Sequence, residues 1–494
     1  MTQPLDRRAI LVGGLAAAAA GLISAPATAG AAASGPAPAD WMLGVADVFD
    51  DIARRQLRPI HGKVPAGLRG TLYRNGPARF RRAGTANGHW FDGDGLVRAW
   101  HIGDSETRLA ARFVDTPKRR LESRLGKMVM PGFGTPGGEG AAIASNDDTN
   151  AANTSVIKAG NDLLALWEAG SPVAMDPDTL ATRGFRTFKP DLAHMPFLAH
   201  PRIEPDGRIW NLGLNGGSAV VWRLSASGDF EAAQIVPLPR ASYLHDFTAT
   251  ARHLVIVLQP WIQDKFTLPF VDSLSWRPDL GTQVLVIGKA DLTKRRIYEL
   301  PTFSFFHLGD AWEERDGTIR FDGCFESDPA FGQRAARELI AGRFEAGPMP
   351  ILNMVALHPD GKASLTSSGI AAEFPRSDPR LAGLPRTQTV HVGGYSGTRP
   401  FAQSVGRWDW KTGKEDAFHF GANHLVEEFV PAADRHDSRR TWLIGSTVNL
   451  IARATELHVF DASHIAQGPV CTWRADVALP VSFHGTFIAG WRGS

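Results

Sequence analysis

Short apolar or alternating runs recur along most of the chain, and polar turns separate them. The clearest runs are Leu163–Trp167, Arg208–Leu212, His253–Leu258, Val284–Ile287, Thr441–Ile444 and Glu456–Phe460. Turn sequences occur at Pro205-Asp206-Gly207, Arg315-Asp316-Gly317, Pro359-Asp360-Gly361 and Lys411-Thr412-Gly413. Strands joined by Asp-Gly turns pair as antiparallel sheets rather than as strand–helix–strand units. We therefore predict an all-β chain, in which Gln333–Ile340 is the best short helix.

An all-β chain of 494 residues must protect the edges of its sheets. A β-propeller does so by repeating small sheets, the blades, around a central axis. No tight sequence repeat fixes the number of blades, and no interior linker divides the body. We expect a single propeller domain over residues 31–494 that acts as a monomer.

The first 30 residues resemble an export signal. Arg7-Arg8 precedes the apolar run Ala9–Ile23, and the small residues Ala27-Thr28-Ala29 follow it. This order of a positive segment, an apolar segment and a cleavage site is typical of a signal peptide, and paired arginines indicate the twin-arginine route. A membrane anchor or a buried helix is the alternative, although the run is short and rich in Ala and Gly. We expect a signal peptide over residues 1–30 and a periplasmic or exported protein.

Charge and cysteine content argue against three classes of protein. Lys and Arg total 53 against 51 Asp and Glu, a net charge of +2, and this balance argues against a nucleic-acid-binding surface. Cys324 and Cys471 are the only cysteines, which excludes a disulfide framework and a cysteine-based zinc module. A single bridge between the two stays open.

Four of the 16 histidines lie among apolar or aromatic neighbours at the edges of predicted strands. They are His200, His245, His307 and His484. Taken singly, each is explained by a core histidine bonded to a backbone carbonyl. Their separations of 45, 62 and 177 residues, however, fit steps of one, one and three blades. Histidines at equivalent inner positions of different blades would converge on the axis as a metal site, for which iron, copper, zinc and nickel are all suitable.

Acidic residues in apolar surroundings are candidate partners of these imidazoles. Glu168, Glu373 and the pair Glu427-Glu428 occur in such contexts. A metal-bound histidine usually donates its second ring N–H to a carboxylate, which fixes its tautomer and orientation. A salt bridge with Arg376 is the alternative for Glu373, and a solvated strand edge is the alternative for the pair.

From about Asp40 to its end, the chain resembles the carotenoid cleavage oxygenases. The similar motifs are Leu68-Arg-Gly-Thr-Leu-Tyr-Arg-Asn-Gly-Pro77, His89-Trp-Phe-Asp-Gly-Asp-Gly-Leu96, Asn153-Thr154 and the segment Leu163–Gly170. The contexts of the four histidines are also similar to those of the family's iron ligands. The resemblance implies a seven-bladed propeller with loops and short helices capping the face over the axial metal. It also implies Fe(II) as cofactor and the cleavage of a conjugated C=C bond by O2 to give two carbonyl products.

The same resemblance implies outer carboxylates that hold the ligand histidines. Glu168 and Glu373 match two of the family's positions. The family pattern places the third glutamate three residues before Phe429-Val-Pro431, where this chain has Val426. We expect Glu427 to take the third role, which requires a shift of register.

Two lipophilic substrate classes occur among the enzymes that the chain resembles: carotenoids or apocarotenoids, and phenolic stilbenes. The stilbene-cleaving members have a lysine directly before the first outer glutamate, and this chain has Trp167 there. An indole in the substrate pocket favours an apolar polyene, since a phenol buried without a partner is costly. The 14 Trp and 27 Phe, against 4 Tyr, can also line an apolar tunnel, although blade packing accounts for most of them. Stilbene cleavage is the alternative.

Two apolar segments, Trp261–Trp276 and Lys127–Phe133, suggest peripheral contact with a membrane that stores the substrate, or ordinary loop packing. Two other functions stay open. One is a metal-binding propeller hydrolase without redox chemistry. The other is an iron propeller that isomerises or hydrolyses a polyene without O2.

Overall fold

Antiparallel pairing of strands that mostly follow one another in the chain builds every large sheet. The computed structural model describes residues 40–490. Its six large sheets form seven blades, because the long strand Ala363–Arg376 belongs to two of them. The prediction of an all-β, seven-bladed propeller is confirmed.

The blades are numbered along the chain. Blade 1 consists of Ile52–Gln56, Gly70–Asn75, Pro77–Arg79, Asp94–Ile102, Thr107–Phe113 and His484–Ala489. Blade 2 consists of Ser155–Ala159, Asp162–Leu166, Val173–Met175 and Thr182–Phe185. Blade 3 consists of Arg202–Ile203, Ile209–Asn215, Ser218–Leu224 and Phe230–Pro237. Blade 4 consists of Thr248–Ala249, His253–Leu258, Thr282–Gly288 and Asp291–Leu300.

The remaining blades follow the same order. Blade 5 consists of Ser304–Glu313, Ile319–Glu326, Ile351–Leu357 and the first part of Ala363–Arg376. Blade 6 consists of the end of that strand with Gln388–Gly393, Ser404–Asp409 and Lys414–His419. Blade 7 consists of Arg58–Gly62, His424–Ala433, Thr441–Asn449, Ala454–Asp461 and Cys471–Arg474. Two small hairpins pair Trp261–Gln263 with Leu274–Trp276 and Arg81–Arg82 with Thr85–Ala86.

Strand alternation explains how neighbouring blades pack. In His253–Leu258, Leu254 and Ile256 contribute to the core shared with blade 3, whereas Val255 and Val257 contribute to the core shared with blade 5. Successive side chains of a strand point to opposite faces, so one strand serves two interfaces. Each such side chain contributes roughly 1.5–3 kcal/mol when fully buried.

The ring of blades is closed by strands from opposite ends of the chain. His484–Ala489 pairs with Gly70–Asn75 in blade 1, and Arg58–Gly62 pairs with Cys471–Arg474 in blade 7. Neither blade is complete without both ends. We name His484–Ala489 the closing strand.

Loops and short helices connect the strands within and between the blades. The α-helices are Pro117–Leu125 and Ala336–Ile340, and a π-helical turn, Phe331–Ala335, precedes the second. The 3-10 segments are Asp40–Val45, Trp90–Asp92, Asn146–Thr149, Pro190–Leu192, Phe270–Ser273, Pro278–Leu280, Pro379–Leu381 and Ile465–Gln467. The helix predicted at Gln333–Ile340 is therefore confirmed, with a π-helical first turn. No helix in residues 40–490 has the length and apolar character needed to cross a membrane.

Two expectations about side chains have clear outcomes. Cys324 and Cys471 are both buried and unpaired, so no bridge joins them. Met128, Val129 and Met130 are buried, and Glu122 accepts hydrogen bonds from the backbone N–H groups of Val129 and Met130. The idea that Lys127–Phe133 is an exposed apolar patch is therefore wrong. Glu122, a buried residue of the helix Pro117–Leu125, holds the segment against the protein by these hydrogen bonds.

Candidate metal centre

The four histidines selected from the sequence meet at one point. His200 lies two residues before the first strand of blade 3, and His245 lies three residues before that of blade 4. His307 lies in the first strand of blade 5, and His484 begins the closing strand. One ring nitrogen from each lies within 4.8 Å of those of the other three. They lie on blades 3, 4, 5 and 1, so the predicted steps of one, one and three blades are confirmed.

Three of these imidazoles contact a carboxylate through Nδ1. Glu168 pairs with His245, Glu373 lies 2.5 Å from His307, and Glu428 lies 3.0 Å from His484. Tyr243 also donates its hydroxyl to Glu168, at 3.1 Å. For His200, the part of the chain that the structure describes offers no carboxylate partner. The contacts predicted for Glu168 and Glu373 are thus present.

The donor atoms suit a metal ion. A carboxylate accepts the Nδ1 proton, which leaves Nε2 as an unprotonated donor. The Nε2 atoms of His200 and His245 lie 3.0 Å apart, and those of His307 and His484 lie 3.1 Å apart. His307 and His484 both have a carboxylate at Nδ1, so their Nε2 lone pairs face each other and repel unless a cation lies between them. Imidazole nitrogens about 2.1 Å from one ion and at right angles lie about 3.0 Å apart, which matches these separations.

The third outer carboxylate is Glu428, and the expectation for Glu427 is wrong. Glu427 is fully buried among Ser446, Ser482 and two buried arginines, Arg74 and Arg98. A β-bulge between Val426 and Phe429 inserts one extra residue into the strand of blade 7. The bulge changes which side chain faces the axis, as bulges commonly do beside functional sites. A register shift therefore occurs, and it directs the second glutamate of the pair to His484.

Charge around Glu428 keeps it ionised. Burial alone would raise its pKa, but the positive charge of Arg376, the contact with His484 and the charge of Arg74 hold the pKa well below its ordinary value. Arg376 donates to Glu428 at 2.7 Å. Glu428 is therefore a permanent acceptor for the Nδ1 proton of His484.

The histidines themselves favour different charge states. Burial, together with the other three imidazoles, lowers the pKa of His200 well below its ordinary value. Burial lowers the pKa of His484 to about 3, against the opposing charge of Glu428. Burial would also lower the pKa of His245, but the charge and hydrogen bond of Glu168 raise it. A neutral imidazole is the metal-binding form.

A cavity of about 1120 Å³ opens from this cluster. Its aromatic lining includes Trp90, Phe91, Phe133, Trp167, Tyr243, Phe270, Phe306, Phe331, Phe374, Tyr395, Phe401 and Phe483. Trp167, which the sequence led us to expect in the substrate pocket, lines this cavity. The walls are mainly apolar, and a cavity of this size holds a long lipophilic molecule.

Two residues at the site were not predicted. Phe374 has φ +54° and places its ring 4.8 Å from the ring of His307 and 5.2 Å from that of His484. No sequence pattern predicts a phenylalanine with a positive φ. Tyr243 was detectable, because it is one of four tyrosines and lies two residues before a proposed ligand.

Comparison with known proteins agrees with this geometry. The chain is 26% identical to the apocarotenoid-15,15'-oxygenase of Synechocystis sp., over 94% of this chain and 99% of that protein. It is 25% identical to lignostilbene-α,β-dioxygenase isozyme III of Sphingomonas paucimobilis, over 87% and 92% of the two chains. A solved structure of a Synechocystis apocarotenoid oxygenase variant matches with a TM-score of 0.80 at 22% identity, covering 91% of this chain and 98% of that one.

The family comparison covers nearly all the described residues. The sequence profile of the RPE65 family, described as retinal pigment epithelial membrane protein, matches residues 46–489. That range contains the four histidines, the three carboxylates that contact them and all seven blades. The chain therefore belongs to the RPE65 family of carotenoid cleavage oxygenases, and it is a metal-dependent oxygenase.

Proposed function

We propose that the protein is an Fe(II) dioxygenase that cleaves a conjugated C=C bond of a carotenoid or apocarotenoid with O2 to give two carbonyl products. The observation that carries the proposal is the cluster of four imidazoles at the inner end of a large aromatic cavity. When bound, ferrous iron supplies a redox centre with positions left for O2.

The chain's own residues prepare this centre. Glu168, Glu373 and Glu428 hold three imidazoles in the tautomer that presents Nε2 to the metal. Four neutral imidazoles would leave the charge of a bound ion uncompensated. The three carboxylates place negative charge just beyond the imidazoles. Phe374 packs against two of these rings.

The cavity wall supports a polyene substrate. Trp167 lines the cavity directly before Glu168, and its indole offers a buried phenol no charged partner. A relative at 26% identity is named for apocarotenoid cleavage. Phenolic stilbene cleavage is the second candidate, because relatives named for lignostilbene and resveratrol cleavage match at 25% identity.

The test uses metal-loaded protein with an apocarotenal and a 4-hydroxystilbene, under air and under nitrogen. We expect O2-dependent cleavage of the apocarotenal with two new carbonyl products, and one iron per chain. His307→Ala should lose most of the iron and all activity. Faster turnover of the stilbene would contradict the substrate, and cleavage under nitrogen or full iron in the variant would contradict the iron oxygenase.

We also propose twin-arginine export, since Arg7-Arg8 and Ala27-Thr28-Ala29 lie in a signal-like segment outside the described residues. The mature protein from its native host should begin near residue 30, and one that begins at Met1 would contradict export.

Peripheral membrane contact is proposed through the hairpin at Trp261–Trp276, where Phe266 and Leu268 are 47% and 45% exposed. Co-sedimentation with phosphatidylcholine vesicles, reduced in a Phe266→Ser, Leu268→Ser variant, is the expected result, and equal binding by this variant would contradict it.

A further inference from the structure

Two polar groups on the cavity wall have no partner of their own. Glu326 ends the second strand of blade 5, and Tyr395 follows the strand Gln388–Gly393 of blade 6. Both line the cavity. Within residues 40–490, neither the Glu326 carboxyl nor the Tyr395 hydroxyl has a hydrogen-bond or ion-pair partner. Both side chains are partly buried, and a polar group left unpaired on a mainly apolar cavity wall is free to bond a polar atom of a ligand.

The surroundings favour the uncharged form of both groups. Burial and the negative charges of Glu373 and Asp328 raise the pKa of Glu326 well above its ordinary value. Burial, with the nearby charge of Glu373, does the same for the pKa of Tyr395. A protonated carboxyl can donate to a carbonyl oxygen and accept from a hydroxyl. The wall is therefore suited to a neutral oxygen group rather than to a cation.

The position of these groups gives the cavity two unlike ends. Trp167 follows the second strand of blade 2. In a ring of seven blades, blades 5 and 6 lie across the axis from blade 2. The histidine cluster lies between the two walls. One end of a molecule spanning the cavity therefore meets an indole, and the other meets a carboxyl and a phenol.

We propose that Glu326 and Tyr395 form a polar subsite that binds the hydroxyl or carbonyl end of an oxygen-bearing polyene, whose apolar end lies against Trp167. The proposal rests on the proposed function for the polyene. It adds that the substrate is unsymmetrical and enters in one orientation. Glu326 and Tyr395 are specificity-determining residues and do not hold the metal.

The test separates binding from turnover. Its two probes are a β-apocarotenol and the hydrocarbon of the same length in which hydrogen replaces the hydroxyl. Binding is measured under nitrogen, with iron-loaded protein, by quenching of tryptophan fluorescence, and cleavage is measured in air. The variants are Glu326→Leu, Glu326→Gln and Tyr395→Phe. Asp264→Leu is the control, since Asp264 is an exposed carboxylate that also lines the cavity.

The parent protein should bind the apocarotenol about 10-fold or more tighter than the hydrocarbon, as expected for hydrogen bonds in an apolar site. Glu326→Leu should remove most of this preference and tighten hydrocarbon binding. Tyr395→Phe should remove part of it, and Glu326→Gln should keep most of it, as should the control. Iron content should equal that of the parent throughout.

An unchanged preference in both Glu326→Leu and Tyr395→Phe overturns the subsite, and so does a parent protein that binds neither probe. If the parent binds the apocarotenol with the expected preference but cleaves neither probe in air, the subsite stands and the proposed oxygenase function fails.

Discussion

At the scale of single residues, adjacent Glu427 and Glu428 have different roles. Glu428 contacts His484, whereas Glu427 lies between Arg74 and Arg98. The sequence shows two acids in an apolar strand, and this much predicts that at least one is paired. It cannot show which one faces the axis, because a bulge at Val426 to Phe429 depends on pairing with a distant strand.

This difference gives a matched pair of variants. Both Glu427→Gln and Glu428→Gln remove a buried charge beside Arg74, so both should destabilise the fold, by about 3–5 kcal/mol for a fully broken pair. Only Glu428→Gln should also weaken metal affinity, by roughly 10- to 100-fold, because only Glu428 contacts a histidine of the cluster. Competition with a chelator, at a temperature where both variants are folded, measures the difference. Equal affinities would assign Glu428 a purely structural role.

At the scale of elements, the strands that could be predicted are those with regular alternation and glycine turns. His253–Leu258 has the predicted bounds, and Gly207 and Gly361 adopt φ +89° after their Asp residues, as Asp-Gly turns require. The strand Ala363–Arg376 was not predicted. Its centre, Ser367-Ser368-Gly369, reads as a turn, and the register shifts as the strand passes from blade 5 to blade 6.

The closing strand depends on a glycine. A Cβ added at Gly485 would lie 2.3 Å from the backbone oxygen of Tyr73 in the paired strand. The clash is with backbone, which cannot move aside as a flexible side chain could. Gly485→Ala should therefore destabilise the fold by about 1–3 kcal/mol and weaken iron binding, since His484 is the neighbouring residue. Thermal unfolding and iron content measure both effects. Gly217→Ala is the control, because open space surrounds that position. A Gly485→Ala protein with parent stability would show that the strands separate easily.

At the scale of the whole molecule, the convergence of the histidines was predictable because radial symmetry turns sequence spacing into position. The cavity contents were not, since Tyr395 and Glu326 reach one wall from different blades. Burial of a histidine elsewhere in the molecule makes the stability of the fold sensitive to acid. His458 of blade 7 is buried between Thr447 and Thr472, and burial lowers its pKa to about 3, with Glu456 opposing and His424 assisting.

The direction of the acid effect follows from proton binding. The unfolded chain protonates His458 near pH 6.5, whereas the folded chain does so near pH 3, so acid favours unfolding between these values. At pH 5 the loss is about 2 kcal/mol for this residue. His458→Gln, which can still hydrogen-bond to both threonines, should narrow the difference in Tm between pH 7.5 and pH 5. Scanning calorimetry of both proteins at the two pH values measures this difference in Tm. An equal difference in the parent and the variant would rule out His458 as a source of the acid sensitivity.

The closing strand also fixes the order in which the protein can be assembled during synthesis. A ribosome completes His200, His245 and His307 while most of blades 6 and 7 is still untranslated, and it adds His484 after the other three. The nascent chain can therefore present three imidazoles but not four. Its first blade lacks one strand until His484–Ala489 has been made. Binding of a metal by all four imidazoles therefore requires the closing strand to have been synthesised. A stop codon shortly before position 484 removes the fourth ligand and the strand that closes the ring in one step.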